Sequence, residues 1–224
     1  MQPGDPAPDF RLAAIHREGE VSLADYKGRS PLLLALFRGL YCPFCRRAIA
    51  QLGLTASKLE AAGVPTLAVV ATPPDRARLY FRYRPPSRLA LAADPELTTL
   101  RAFRVPKGEA TPELMMEEAR MARTTLGGRL AEPVSILDAA RVLEEQHPFE
   151  LTPMDHADEE RQFGQFVGQF LLDRDGIIRW LNVEGARGGI AGVGMFPTDE
   201  ELLAAVARLG ASREGGEAAV TGVV

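Results

Sequence analysis

Short apolar runs alternate with segments of helical periodicity in the first half of the chain. Apolar runs of strand length lie at 31–38, 64–72 and 89–94. Between the first two, residues 43–62 place apolar side chains at helical spacing, and Gly63 follows where a helix should stop. Strands that alternate with helices imply parallel pairing. The pattern therefore predicts an α/β sheet with helices on its faces.

The pattern changes in the second half of the chain. Residues 169–183 contain two apolar runs joined by an Arg-Asp-Gly turn, which predicts an antiparallel hairpin. A helix is predicted over 197–209, where Glu201 stands three residues after Thr198 and completes a capping box. Residues 211–224 are small and polar, and they are predicted to form a disordered tail.

A segment of about residues 106–162 interrupts the order of strands and helices. It carries two helical patterns, over about 111–126 and 133–147. Two helices of this length make a poor hydrophobic core alone. We therefore expect a single domain over 1–210 in which this segment is a helical insertion.

Three groups of residues in the second half of the chain could be taken for functional sites. Asp155 to Asp158 is interpreted as a capped polar loop rather than a metal site or a general base. The glycine-rich segment 183–194 lacks the lysine of a P-loop, and it is predicted to be a flexible loop over the active site. Met115, Met116 and Met121 are interpreted as core or dimer-surface residues.

The composition excludes several classes of function. The chain of 224 residues is 46% hydrophobic and 25% charged, as expected for a globular protein. Its formal net charge of −4 gives no general attraction to nucleic acid or to membrane surfaces. The Arg-rich stretch 76–88 is interpreted as a solvated helix face rather than an RNA contact. Neither a membrane span nor a secretory signal is visible, which predicts a cytoplasmic location and reduced thiols.

The only two cysteines, Cys42 and Cys45, lie at the predicted junction of the first strand and the first helix. Pro43 suits the first helical position, which leaves Cys42 at the N-cap. Free backbone amides and the positive end of the helix dipole then face its sulfur. Arg38 and Arg46 are close in sequence and would add positive charge. We therefore predict that Cys42 is a reactive thiolate with a lowered pKa.

Cys45 is predicted to lie on the same helical face as Cys42, one turn further on. A disulfide between them closes a very small loop, so it would stabilise the fold little and would open readily. A redox-active pair is therefore favoured over a structural disulfide, a zinc site and two inert buried thiols. Only His16, His147 and His156 could add imidazole ligands, and their spacing matches no zinc motif.

Several segments resemble the peroxiredoxin family of alkyl hydroperoxide reductases and thiol-specific antioxidant proteins. They are GDPAPDFRL, the LADYKG turn, FRGLYCPFC, AADPELTTLRAFRV and FLLDRDGII. The resemblance covers about 3–105 and 163–209. It implies a thioredoxin-like α/β fold with a mixed central sheet flanked by helices and an N-terminal peroxiredoxin-type extension, to which this chain adds the helical insertion. The Cys-Pro-Phe-Cys sequence is also similar to that of glutaredoxin.

The resemblance implies a thiol-dependent peroxidase. Cys42 would attack the peroxide, Cys45 would form a disulfide with it, and an external dithiol reductant of the thioredoxin, glutaredoxin or glutathione type would reduce the pair. Arg38 and Arg46 are the candidate electrostatic partners, no cofactor is required, and a homodimer is expected. Two alternatives stay open, a thiol–disulfide oxidoreductase that uses the same pair and a non-catalytic interaction protein.

Parts of the family pattern are missing. Counted back from Cys42, Gly39 stands where peroxiredoxins carry the Thr or Ser that holds the peroxide, and Ala35 stands at the proline position. Counted back from Cys45, these two positions are Cys42 and Arg38, so neither register fits. The family's second Arg corresponds to Val167. Thioredoxins have a cis-proline before the hairpin strand, and no proline lies between Met154 and Arg179. The incomplete peroxide-orienting set predicts a peroxidase rate below the family's fastest.

Overall fold

The computed structural model describes residues 1–186 and 189–217. In these residues the strands are β1 Arg11–Ala14, β2 Glu20–Ser22, β3 Leu32–Phe37, β4 Thr66–Val70, β5 Ala90–Ala93, β6 Arg123–Thr124, β7 Val134–Ser135, β8 Gly168–Leu172 and β9 Ile178–Val183. The helices are α1 Pro43–Ala61, α2 Pro74–Tyr83, α3 Thr98–Ala102, α4 Pro112–Met121, α5 Ile136–Gln146, α6 Pro153–Gln162 and α7 Asp199–Glu217. Single 3-10 turns lie at Leu23–Asp25 and Gly189–Gly192.

The central sheet is mixed, with the strand order β2-β1-β5-β4-β3-β8-β9. Strands β3, β4 and β5 pair in parallel, as their alternation with α1 and α2 predicts. The hairpin β8–β9 is antiparallel and joins the sheet beside β3. At the other edge, the N-terminal hairpin β1–β2 adds antiparallel to β5. The predicted α/β architecture with a mixed central sheet is therefore confirmed.

Both faces of the sheet are buried, which explains why β3 is apolar at every position. Leu33, Ala35 and Phe37 point into a core that contains side chains of α1 and α7, because alternate residues of a strand face opposite sides. Leu32, Leu34 and Leu36 point into the second core, on the opposite face. The N-terminal end of α1, where the two cysteines lie, therefore follows a fully buried strand after a short loop of residues 38–41.

The insertion packs onto the first of these cores. Ala119 of α4 and Ile136, Ala139 and Leu143 of α5 are buried in the same cluster as the inward face of α1. Helix α4 ends at Met121, earlier than predicted, because the chain turns into the short pair β6–β7. Helix α5 begins at Ile136 rather than near residue 133, since Ser135 caps it by accepting a hydrogen bond from the Asp138 amide.

The interpretation of Asp155 to Asp158 as a polar loop is wrong, because these residues belong to helix α6. Thr152 and Asp155 form a capping box at its start, and Pro153 occupies the first turn. The buried side chains of α6 are Asp155, Asp158 and Gln162. A helix whose buried face is polar lacks the apolar stripe by which helices are predicted.

The last helix begins where the sequence predicts, with Thr198 and Glu201 forming the capping box. It continues past the predicted end at Leu209 as far as Glu217. The rest of the predicted tail, 218–224, lies outside the described residues. Over the ranges that the structure covers, no helix combines the length and the apolar character required to cross a membrane.

Candidate redox site at the start of the first helix

Cys42 occupies the N-cap of α1, as the sequence predicts. Its backbone is extended, with φ −78° and ψ 110°, and Pro43 is the first helical residue. The Cys45 amide donates a hydrogen bond to the Cys42 sulfur over 3.2 Å. A sulfur at this position receives one of the free amides of the first turn and lies at the positive end of the helix dipole.

Both cysteines are free thiols and both are buried. Cys42 is 4% exposed, whereas Cys45 is completely enclosed. Phe44, which stands between them, is also buried in the core that α1 shares with the sheet. The candidate nucleophile therefore has a narrow opening to solvent, and its partner has none.

The two thiols differ in acidity. Burial raises the pKa of Cys42, but hydrogen bonds from Cys45 and the positive charge of Arg38 outweigh this effect and lower its pKa to about 7. Burial raises the pKa of Cys45 well above the ordinary value, and its hydrogen bond to Cys42 acts in the same direction. A pair with one ionisable and one protonated member suits nucleophilic attack by Cys42.

Arg38 supplies the positive charge at this site. It follows β3, and its guanidinium donates to the Gln165 carbonyl over 2.9 Å and to the Glu184 carboxylate over 3.2 Å. Burial disfavours the charge of Arg38, yet the negative charges of Cys42 and Glu184 raise its pKa well above the ordinary value. Arg38 therefore stays cationic beside the thiol.

Glu184 is a member of the site that sequence reasoning missed. The residue is 2% exposed and follows β9, and one of its oxygens accepts hydrogen bonds from both Arg38 and the Gly194 amide. Its other oxygen and the Nε atom of Arg38 are buried without a hydrogen-bond partner among the described residues. The Arg38–Glu184 ion pair therefore has one unused hydrogen-bond acceptor, on Glu184, and one unused donor, on Arg38.

The structure places Arg46 differently from the prediction that it acts on the thiolate. Its guanidinium donates to the carbonyls of Leu40 and Tyr41 over 2.7 and 3.1 Å and pairs with Glu144 of α5. The same guanidinium stacks over the ring of Phe149 at 4.3 Å from its centroid. The bonds of Arg46 therefore hold the loop before Cys42 and join it to the insertion.

Two further side chains hold the same loop, which is residues 38–41. The Gly39 amide donates to the side-chain oxygen of Gln162 over 2.7 Å, and the Gln162 nitrogen donates to the Ala71 carbonyl over 2.6 Å. The Leu40 amide donates to the Thr72 hydroxyl over 2.9 Å. Thr72 comes just before Pro73, the N-cap of α2, and its hydroxyl serves the loop rather than the helix.

The close packing around Gly39 explains why no hydroxyl-bearing residue stands there. A Cβ atom at this position would lie 2.9 Å from the ring of Tyr41 and 3.2 Å from the Ala71 carbonyl oxygen. Thr or Ser would therefore require the loop to move.

Gln162 contacts this loop across 123 residues of sequence, a distance at which no sequence pattern could indicate it.

The glycine-rich segment 183–194 contributes to the site, although Arg187 and Gly188 lie outside the described residues. Gly194 has φ +76° and lies directly against Phe44, since a Cβ atom there would be 2.4 Å from the ring. Its amide also holds Glu184. Gly194 thus lies beside Phe44, the residue between the two cysteines.

The other candidate residues have structural contacts. Asp155 is buried and accepts two hydrogen bonds from Arg76 Nε and a third from its Nη2 atom. Arg76 is therefore a half-buried ion-pair partner rather than part of a solvated face. Met115 is buried, whereas Met116 and Met121 are exposed. Among the described residues, no three His, Cys, Asp or Glu side chains are grouped as metal ligands would be.

Comparison with protein families gives one match. The model described as "AhpC/TSA family" matches residues 3–126, which is more than half of the chain. The matched range includes β1 to β5, both cysteines and Arg38. No curated protein matches the sequence.

Solved structures show the same fold at low sequence identity. The reduced 2-Cys peroxiredoxin of Plasmodium vivax is 13% identical with a TM-score of 0.60, over 96% of this chain and 99% of that one. Peroxidoxin BcpB of Mycobacterium tuberculosis is 14% identical with a TM-score of 0.56, over 94% and 97%. A putative thiol:disulfide interchange protein DsbE of Chlorobium tepidum is 20% identical with a TM-score of 0.51, over 92% and 99%. The predicted thioredoxin-like fold is therefore confirmed.

Proposed function

The chain belongs to the AhpC/TSA family, and on this premise we propose that it is a thiol-dependent peroxidase for hydrogen peroxide or organic hydroperoxides. One observation supports this above all. The buried pair has opposite acidities, with the pKa of Cys42 lowered to about 7 and that of Cys45 raised. About half of the Cys42 thiols are therefore thiolate near neutral pH, while Cys45 keeps its proton.

The first step is attack of the Cys42 thiolate on the terminal oxygen of the hydroperoxide. An S–O bond forms, the O–O bond breaks, and the leaving alkoxide or hydroxide takes up a proton to give an alcohol or water. Cys42 becomes a sulfenic acid. In this step sulfur is oxidised by two electrons and the peroxide is reduced by two.

The second step joins the two cysteines. Cys45 loses its proton and attacks the Cys42 sulfur, the S–O bond breaks, and the departing hydroxide with that proton forms water. An external dithiol then reduces the disulfide by two exchanges through a mixed disulfide, and is itself oxidised to a disulfide. The dithiol is of the thioredoxin or glutaredoxin type, or two glutathione molecules supply the two thiols and leave as glutathione disulfide.

Arg38 serves this cycle through its charge and its free donor. Its positive charge favours the thiolate, and its buried Nε–H has no acceptor among the described residues. A peroxide oxygen that enters the site would offer one. Arg38 thus stands in for part of the peroxide-orienting set that Gly39 cannot supply.

Burial of the sulfurs separates the proposed function from its alternative. A thiol–disulfide oxidoreductase is the second candidate, because a low-pKa N-cap cysteine followed by a high-pKa partner also suits disulfide exchange. A protein disulfide must reach the Cys42 sulfur, which is 4% exposed. Hydrogen peroxide is far smaller, so the closed site favours a peroxide over a protein disulfide as the oxidant of Cys42.

Stopped-flow mixing of the reduced protein with hydrogen peroxide or tert-butyl hydroperoxide tests the proposal. We expect rapid oxidation that Cys42→Ser abolishes, and a trapped sulfenic acid in Cys45→Ser. Slow oxidation of the wild type, with fast exchange on a protein disulfide, would support the oxidoreductase. The homodimer and the cytoplasmic location stay predictions, and sedimentation of the purified chain would test the first.

A further inference from the structure

A groove of about 490 Å³ runs along α1 from Pro43, the residue after Cys42, to Leu54. The end of α2 with residues 84–87 forms one side of it, and residues 147–149 after α5 form the other. Its volume lies within the roughly 300–1,000 Å³ range of small-molecule sites. Neither cysteine lines it, so its role is separate from that of the thiol pair.

Much of the groove wall is apolar. Tyr80, Phe81 and Phe149 line it, and their rings pack edge to face, with Tyr80 4.9 Å from Phe81 and 5.4 Å from Phe149. Leu54 adds a side chain that is 66% exposed. The guanidinium groups of Arg46 and Arg84 lie over the rings of Phe149 and Tyr80, at 4.3 and 5.3 Å from the ring centroids, so a hydrocarbon chain would lie along the ring edges and the exposed Leu54.

The charged residues of the groove all have the same sign. Arg46, Arg47, Arg84 and Arg129 line it, and no Asp or Glu does. Arg46 is neutralised from outside the groove by Glu144. Within the described residues, the other three arginines have no carboxylate partner. This local positive charge contrasts with the chain's net charge of −4.

Arg47 and Arg129 are close enough to affect each other. Burial lowers the pKa of Arg47, and the positive charge of Arg129 lowers it further. Arg47 donates to the Leu126 carbonyl over a long 3.4 Å, and Arg129 donates to the neutral side chain of Gln51 over 3.0 Å. Asp199 reaches this pair only through Gln51, so the two neighbouring cations have no direct carboxylate partner and form a place where an anion would be stabilised.

We propose that this groove binds a small amphipathic carboxylate, whose charge pairs with Arg47 and Arg129 and whose apolar chain lies along Tyr80 and Phe149. A carboxylate fits because planar guanidinium groups bind it through two hydrogen bonds. The aromatic wall selects for an apolar chain over a compact anion. A free fatty acid and a fatty acid hydroperoxide share this chemistry.

Calorimetric titration of the reduced protein with dodecanoate, below its micelle concentration, tests the site. We expect saturable binding of one molecule, and much weaker binding of dodecanol, which has the same chain without the charge. Glutathione, an anion without an apolar chain, should fail to displace dodecanoate. Equal affinity for dodecanol, or displacement by glutathione, would overturn the proposal.

Substitutions at exposed positions test the geometry without threatening the fold. Arg129→Gln should weaken dodecanoate binding about fivefold or more, because a charge-assisted bond is lost at a partly exposed site. Arg82→Gln is the matched control, since Arg82 is an exposed residue outside the groove. Leu54→Ser should also weaken binding, whereas Leu79→Ser, at a Leu that is exposed outside the groove, should not. Equal effects of each variant and its control would refute the site.

Binding of a free fatty acid and binding of a fatty acid hydroperoxide can be compared in the Cys42→Ser protein, which cannot react with peroxide. Linoleate and its hydroperoxide are titrated in turn. Tighter binding of the hydroperoxide supports a groove that recruits a substrate, and equal affinity supports a fatty acid site. Dodecanoate binding does not need Cys42. If dodecanoate fails to bind, the groove proposal is refuted, and the proposed peroxidase function is unaffected.

Discussion

Replacing Arg38 by Met should raise the pKa of Cys42. Met has a similar length and no charge, so the substitution removes the cation that favours the thiolate while filling the same space. Glu184 then becomes the nearest charged group, and its negative charge acts to raise the pKa of Cys42 as well. The loss of the Arg38 charge and the remaining Glu184 charge both raise the pKa of Cys42, so the thiolate fraction of Cys42 at neutral pH should fall.

The size of the effect follows from the burial of the site. An opposite charge in close contact typically shifts a pKa by about 1–3 units, and burial reduces solvent screening. A rise of about 1.5 units from a pKa of about 7 would reduce the thiolate fraction at pH 7 from about half to about 3%. The alkylation rate at that pH should therefore fall about 15-fold.

The assay is the pH dependence of iodoacetamide alkylation in Cys45→Ser protein, where Cys42 is the only thiol. Arg47→Met is the matched control, because it removes the same charge from the first turns of α1 at a side chain that donates to Leu126. An unchanged pKa in Arg38→Met, or an equal shift in Arg47→Met, would refute the assignment of Arg38. In Arg38→Met with Glu184→Gln the shift should be smaller, since the opposing carboxylate is gone.

Three further outcomes are expected. The rate constant with hydrogen peroxide in stopped flow should rise about tenfold from pH 6 to pH 8 and then level off, because the pKa of Cys42 is about 7 and the thiolate reacts; a continued linear rise above pH 8 would contradict this. Gln162→Leu leaves two buried backbone groups unpaired, and urea titration should show a loss of about 2–4 kcal/mol in the free energy of unfolding. Gly194→Ala should cost about 1–3 kcal/mol through contact with Phe44 at positive φ. Thermal unfolding should show a smaller cost for Gly128→Ala, where φ is also positive but the space is open.

The features that could be predicted from the sequence are those set by neighbouring residues. The position of Cys42 at a helix N-cap follows from an apolar run, a proline and a helical period, all within residues 31–62. The antiparallel hairpin and the capping box of Thr198 are equally local. In each case one short segment contains all the groups that form the structure.

The features that could not be predicted depend on residues far apart in the chain. Glu184 pairs with Arg38 across 146 residues of sequence, and Gln162 reaches Gly39 across 123. Proximity in sequence also misled, because Arg46 is close to Cys42 along the chain but its guanidinium is bound to Leu40, Tyr41 and Glu144. Residues four apart share one face of a helix, but a long arginine side chain can direct its guanidinium to acceptors other than that neighbour, and here the acceptors are two loop carbonyls and Glu144.

In the proposed cycle, the different burial of the two sulfurs favours one direction for the reductive half. The reductant's thiolate must attack the sulfur of Cys42, since Cys45 is completely enclosed. That attack expels Cys45, whose raised pKa makes it a poor leaving group until it gains a proton. The lowered pKa of Cys42 speeds attack on peroxide, yet the same burial that admits a small oxidant obstructs a larger thiol. We therefore infer that re-reduction, rather than reaction with peroxide, limits turnover in this cycle.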